Sequence, residues 1–121
     1  MREVRVQRKF RLTRSQDFKR VRQSGKSYAH PLIVLVVKEN SEMKVRVGVA
    51  AGRTVGTAVK RNRAKRLLRE AMRPLIPSLA SGWDLILIAR PALASSTLTV
   101  TRQALTNILQ RAQLISDPDA I

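Results

Sequence analysis

The chain of 121 residues has no cysteine, so disulfides, thiolate metal sites and cysteine nucleophiles are excluded together. It has a single histidine, His30, placed directly before Pro31, and one imidazole without a partner is a poor acid–base pair. The eight acids, Glu3, Asp17, Glu39, Glu42, Glu70, Asp84, Asp117 and Asp119, are scattered along the chain. Phosphodiester cleavage by two metal ions needs carboxylates that converge, and this spacing does not suggest it. Serines near Gly25 and Gly82 lack a nucleophile elbow. Aromatics are few, with one Trp, one Tyr and two Phe. No apolar run reaches the length of a membrane span, and the charged N-terminal stretch has no apolar segment behind it, so neither a membrane helix nor a secretory signal is expected. What survives these exclusions is a binder, and any catalytic groups or metals come mostly from elsewhere.

What the chain has is positive charge. Lys and Arg number 24, for a net charge of +16, which predicts a polyanionic partner. The charge concentrates in one segment. Ala64, Leu67, Leu68, Ala71 and Met72 recur with the period of one helical stripe. Thr57 is placed to cap the helix start, Gly56 frees the turn before it, and Pro74 and Pro77 close the far end. On the other side Arg61, Lys65, Arg69 and Arg73 recur every four residues as a ridge, with Asn62 and Arg66 beside it. Seven basic residues from Lys60 to Arg73 face one acid, Glu70. Like charges four apart repel by a few tenths of a kcal/mol per pair, and a merely solvated face usually mixes signs. The helix is read as a nucleic-acid face. A membrane-surface helix would want bulkier apolar residues than Ala64 and Ala71.

The remaining segments suggest one α+β domain with a single mixed sheet packed by helices, in the order α-β-β-β-α-β-α. The domain spans residues 1–121, with a basic arm over 1–12 and a tail over 116–121. A short helix is expected from Ser15 to Gln23, its cap Thr13 or Ser15, with Phe18 and Val21 sharing a face. Phe10 and Leu12 precede it. Pro31 splits a strand region into a lead-in at Ser27 to Ala29 and the β-branched run Leu32 to Val37. Lys44 to Ala50 alternates like a half-exposed strand and is expected to form an antiparallel hairpin with that run. Gly52 to Gly56 is a loop lacking the Walker pattern. Trp83 to Ala89 is a buried strand in which Asp84 reads as a strand-edge charge. Ser95-Ser96 offers a cap for a last helix from Thr97 to Leu114. Paired in parallel, the strands flanking the basic helix would make a β-α-β unit, for which right-handed crossovers are the rule.

Ala58-Val59-Lys60-Arg61-Asn62-Arg63-Ala64-Lys65-Arg66-Leu67-Leu68-Arg69-Glu70 resembles the arginine-asparagine-arginine signature helix of the bacterial ribonuclease P protein subunit. Asp17-Phe18, Gly25, Arg46-Val47-Gly48-Val49, Gly56-Thr57-Ala58-Val59 and Trp83-Asp84-Leu85-Ile86-Leu87-Ile88-Ala89-Arg90 extend the resemblance over nearly the whole chain. The resemblance implies a left-handed β-α-β crossover around that helix, as in ribosomal protein S5 domain 2 and a domain of elongation factor G. It implies a cytoplasmic ribonucleoprotein whose catalytic RNA holds the active-site Mg2+ and removes the 5′ leader of precursor tRNA, with no obligate protein partner. Lys60, Arg61, Asn62, Arg63, Lys65, Arg66 and Arg69 would then bind the catalytic RNA. Phe18, Arg22, Val36 and Arg53 would bind the leader. Many members carry a second aromatic where this chain has Arg22, an aromatic near Val36 and a lysine at the position of Thr54, so the leader cleft here would lean more on Lys and Arg. A ribosomal structural protein is the main alternative on charge and size; a DNA-compacting protein and a self-sufficient nuclease fit less well.

Overall fold

The computed structural model describes residues 11–12 and 15–115. Phe10, Thr13 and both the start of the basic arm and the tail lie outside the described residues. The elements are α1 (Ser15–Ser24), β1 (Lys26–Ala29), β2 (Ile33–Glu39), β3 (Val45–Ala51), α2 (Ala58–Met72), β4 (Trp83–Ala89) and α3 (Leu98–Arg111). This is the order expected from the sequence.

The strands form one sheet in the order β1-β2-β4-β3. β1 pairs antiparallel with β2, β2 antiparallel with β4, and β3 parallel with β4. The expected hairpin between β2 and β3 therefore does not form, because β4 lies between them. The reason is burial. Leu85, Ile86 and Leu87 are consecutive and all without solvent exposure, so β4 needs cover on both faces and a strand on each side. The Asn40 to Lys44 connection instead passes the start of β4, where Asn40 N–H donates to the Gly82 carbonyl and Gly82 and Trp83 N–H donate to the Lys44 carbonyl. The break at Pro31 is real: His30 and Ile33 bond to each other across it, and His30 Nδ1 accepts from Leu32 N–H at 3.1 Å. The lone histidine thus has a structural role in the β1–β2 turn.

Alternation along the strands sorts side chains to two faces. One face, with Ile33, Leu35, Val37, Val45, Val47, Leu85 and Leu87, is covered by α2 and α3. These helices run side by side in the same direction: Arg63 near the start of α2 reaches Ser96 just before α3, and Ala80 beyond α2 bonds Leu114 beyond α3. Both are capped by threonine, Thr57 for α2 and Thr97 for α3. Thr97 and not Ser95 or Ser96 caps α3, because Pro91–Ser95 is itself a 3₁₀ turn. Pro74 and Pro77 lie in a second 3₁₀ segment that follows α2 directly.

The opposite face has less cover. Leu12, Val21, Val36 and Ile86 form a smaller core there, with Phe18, Val34 and Ile88 at its margin. Leu12 is buried and its N–H donates to the Val47 carbonyl, so the end of the basic arm belongs to the fold. Phe18 lies over Gly48, where a Cβ would come within 2.4 Å of the ring. Any side chain at Gly48 must displace the phenyl group. Gly48→Ala is expected to cost about 1–3 kcal/mol, the usual cost of overpacking, and a Phe18→Ala/Gly48→Ala double variant to be less destabilised than the sum of the single changes. Urea unfolding of the four proteins checks this, and strict additivity would contradict the packing.

Candidate nucleic-acid interface

The buried stripe of α2 is the one its sequence spacing predicts: Ala64, Leu67, Leu68, Ala71 and Met72. The Thr57 hydroxyl accepts from Lys60 N–H at 3.3 Å, and Gly56, at φ 132°, occupies a backbone region unsuited to other residues. Seating that stripe on the sheet turns Lys60, Asn62, Arg63, Arg66 and Arg73 to solvent. Arg61, Lys65 and Arg69 are half-buried, so the ridge seen in the sequence is a flank of the helix and not its crest. That flank leans towards the edge of β3. Arg69 joins Arg11, Leu12, Phe18, Val47, Gly48 and Val49 around a cleft of about 250 Å³. Among the described residues, no carboxylate forms an ion pair with Lys60, Arg61, Lys65, Arg66 or Arg73. The Nε of Arg61 is buried without an acceptor.

Arg63 behaves differently. On the other flank of α2, its Nε donates to the Ala94 carbonyl at 2.8 Å and its Nη2 to the Ser96 carbonyl at 3.2 Å. It braces α2 against the turn before α3. Sequence spacing alone could not separate it from the cations of the crest.

The second surface lies on the face crossed by α1. Across the strands, Ala29, Val34, Ile88 and Ala50 are partners in one register row, and the last three are half-buried. They form a small open apolar floor. The next row, Val36, Ile86 and Gly48, is buried beneath α1. Val36 is therefore not open to a ligand, and Val34, two positions earlier on the same strand, is the one that reaches the floor. Helical spacing places Phe18 and Arg22 on one flank of α1 and Asp17 and Arg20 on the other. Phe18 is half-buried and Arg22 exposed. Arg53 and Arg90, both exposed, follow the ends of the parallel strands β3 and β4. Arg53–Val55 is a 3₁₀ turn anchored by buried Val55, and Thr54 is exposed.

Asp84 is not a strand-edge charge. It has no solvent exposure and lies on the α1 face of β4, beside Arg46 of β3. Arg46 Nε donates to Oδ1 at 2.8 Å and Nη2 to Oδ2 at 2.9 Å, while Asn40 Nδ2 donates to Oδ1 at 2.9 Å. Arg20 of α1 donates to Oδ2 from above. Asp17 pairs with both arginines, at 3.7 Å to Arg20 and 3.5 Å to Arg46. Burial acts to raise the Asp84 pKa, but the hydrogen bonds from Arg46, Asn40 and Arg20 and the charge of Arg46 outweigh it, so the carboxyl lies below its ordinary 3.8. The same interaction raises Arg46 above its ordinary value. The strand alternation of Trp83 to Ala89 carried a signal for this, since it turns Asp84 away from the face of Leu85 and Leu87.

A family model described as Ribonuclease P matches residues 6–113. The chain belongs to the ribonuclease P protein family. It is 41% identical over 112 residues to the ribonuclease P protein component of Herpetosiphon aurantiacus, covering 93% of this chain and 91% of that one. To the component of Brevibacillus brevis it is 36% identical over 111 residues, covering 91% and 88%. The ribonuclease P protein of Staphylococcus aureus superposes with a TM-score of 0.79 at 28% identity, covering 88% of this chain and 98% of that one. That of Thermotoga maritima does so with a TM-score of 0.74 at 30% identity, covering 84% and 96%. The mixed four-stranded sheet and its helices are thus the family fold.

Two outcomes test this geometry. Arg63→Ala is expected to lower stability by more than the ~0.5 kcal/mol usual for a surface change, and Arg66→Ala to stay within it; equal urea midpoints for the two variants would contradict the brace. The lowered Asp84 pKa means that the unfolded chain takes up this proton more readily than the folded one. Its stabilisation is complete above the unfolded value and is lost as pH falls through the folded value. Below about pH 5 the wild type is expected to lose stability more steeply than Asp84→Asn. Parallel stability curves for the two proteins between neutral and acid pH would contradict the network.

Proposed function

We propose that this chain is the protein subunit of a ribonuclease P ribonucleoprotein and that it binds two RNAs through different faces. The crest and flank of α2, with Lys60, Arg61, Asn62, Lys65, Arg66 and Arg69, bind the catalytic RNA. The open floor beside α1, with Phe18 and Arg22 on one wall and Arg53 at the strand ends, binds the single-stranded 5′ leader of precursor tRNA. Arg63 serves the first surface mainly by holding α2 in place. The observation that carries the reading is α2 itself: a well-packed helix whose outward side is cationic and lacks ion-pair partners for Lys60, Arg61, Lys65 and Arg66 among the described residues.

The chemistry is assigned to the RNA. Among the described residues no group of three or more His, Asp or Glu side chains is gathered to hold a metal ion. The carboxylates at the α1–sheet junction, Asp17 and Asp84, are engaged with Arg20 and Arg46. Asp84, without solvent exposure and hydrogen-bonded on both oxygens, has no open side on which to meet water and is a poor general base. The Mg2+ required for hydrolysis would be held mainly by RNA phosphates. The protein's contribution is charge neutralisation, which lets the RNA fold its metal site, and capture of the leader, which aligns the scissile phosphate.

Replacing Arg61, Lys65 and Arg69 together by alanine is expected to remove most affinity for the catalytic RNA in ordinary salt. The slope of log affinity against log salt should become shallower by roughly 0.7–0.9 for each phosphate that is no longer neutralised. A folded triple variant with the wild-type slope would place the RNA elsewhere. Cleavage of precursor tRNA at low magnesium should require both protein and RNA, and site-specific cleavage by the protein alone would overturn the division of labour. Phe18→Ala should weaken substrates with long leaders and spare those with a one-nucleotide leader; equal losses on both would mean that Phe18 acts only in packing.

A further inference from the structure

Asp84 is a costly residue at its position: a carboxylate without solvent exposure, on an inner strand of the sheet, in a chain with few acids. Two of its partners, Arg46 and Asn40, belong to β3 and the β2–β3 connection. The third, Arg20, belongs to α1. Asp17, one turn before Arg20, returns the connection by facing both Arg20 and Arg46. The helix is thus fastened to the sheet along one flank by two carboxylates and two guanidinium groups. Its other flank carries Phe18, seated on Gly48, and Arg22.

A ten-residue helix has few ways to resist rolling about its own axis. α1 buries fully only Val21 and half-buries Phe18, and these two apolar contacts on adjoining sides leave its rotation weakly fixed. The ionic flank fixes it. If Arg20 is released, the longer Asp17–Arg46 pair at 3.5 Å is the ionic link left to resist turning about Val21, and Phe18 is free to shift relative to Gly48 and the Val34–Ile88–Ala50 floor. We propose that Asp84 is a positioning residue for leader binding. Through Arg20 it sets the rotation of α1 and so holds Phe18 and Arg22 at the border of the open floor. This rests on the leader reading given above.

The clamp acts opposite in sign to simple electrostatics. Asp84→Asn removes a negative charge, which by itself should tighten binding to RNA. Loss of the clamp should instead weaken it for the leader. Arg20→Gln tests the same link from the helix side and leaves the Asp84 carboxylate bonded to Arg46 and Asn40, so it keeps the test open should Asp84→Asn fold poorly. Two readouts are needed. The first is the chemical shift of the Gly48 α-protons, which the Phe18 ring current displaces when the ring is seated. The second is affinity of the reconstituted ribonucleoprotein for precursor tRNA with a long leader and with a one-nucleotide leader.

Both variants are expected to bring the Gly48 shift towards its unstructured value. They should weaken the long-leader substrate about fivefold, the low end of what one base–aromatic stack is worth. The one-nucleotide substrate and affinity for the catalytic RNA should be as in wild type. The double variant should be no worse than the weaker single one, since both cut the same link. Long-leader binding that is unchanged or tighter in Asp84→Asn, or a Gly48 shift that stays put in both variants, overturns the proposal. So does a loss in Arg20→Gln alone, which would mean that Arg20 touches RNA directly. If the Gly48 shift moves while the wild type itself shows no leader-length preference, the clamp stands and the leader reading fails.

Discussion

The structure depends on burying β4 from both sides. Leu85 and Leu87 need cover on one face of the sheet and Ile86 on the other, and no two-layer arrangement can supply both. On the first face, α2 and α3 lie side by side over a large core. On the second, a short helix covers only one part of the sheet and leaves the row of Val34, Ile88 and Ala50 half-open. The same constraint thus produces both proposed RNA surfaces. α2 must turn its apolar stripe inward and so displays its cations outward. α1 is too short to close the opposite face and leaves a gap beside it.

Charge is distributed with the same division. Where cations meet carboxylates among the described residues, they do so at the α1–sheet junction, where Arg20 and Arg46 enclose Asp17 and Asp84. Arg63 is directed to backbone carbonyls, and Arg111 likewise donates to the Ala29 carbonyl at 2.6 Å. The basic helix of this chain is therefore not uniform. Some of its charge holds the fold together and the rest is presented outward, and net charge alone does not distinguish the two.

Much of this was legible in the sequence, for reasons that differ by element. α2 was legible because a single helix buried on one side obeys its period closely, and its cap and terminators are local signals. Element order was legible for the same reason. Strand pairing was not: the β2–β3 hairpin was expected because neighbouring strands usually pair, whereas the double-sided burial of β4 decides the order and is a property of the whole sheet. Asp84 is not legible as a buried charge because a carboxylate in an apolar run looks like an edge residue until Arg20, Arg46 and Asn40, distant in sequence, are brought around it. Val36 was assigned to the leader cleft by family position, but in this fold α1 covers it and Val34 reaches the floor. Arg63 could be told from Arg61 only by its carbonyl partners near α3.

The central claim is that the two faces of the sheet meet different RNAs. A hydroxyl-radical probe tethered to a cysteine introduced at Arg66 on α2, or at Arg22 on α1, tests it directly in the reconstituted complex with precursor tRNA, since the natural chain has no cysteine to compete. The account predicts that the probe at position 66 cuts the catalytic RNA and spares the leader, while the probe at position 22 cuts the leader. Cleavage of the same RNA segment from both positions, or of the leader from position 66, would contradict it.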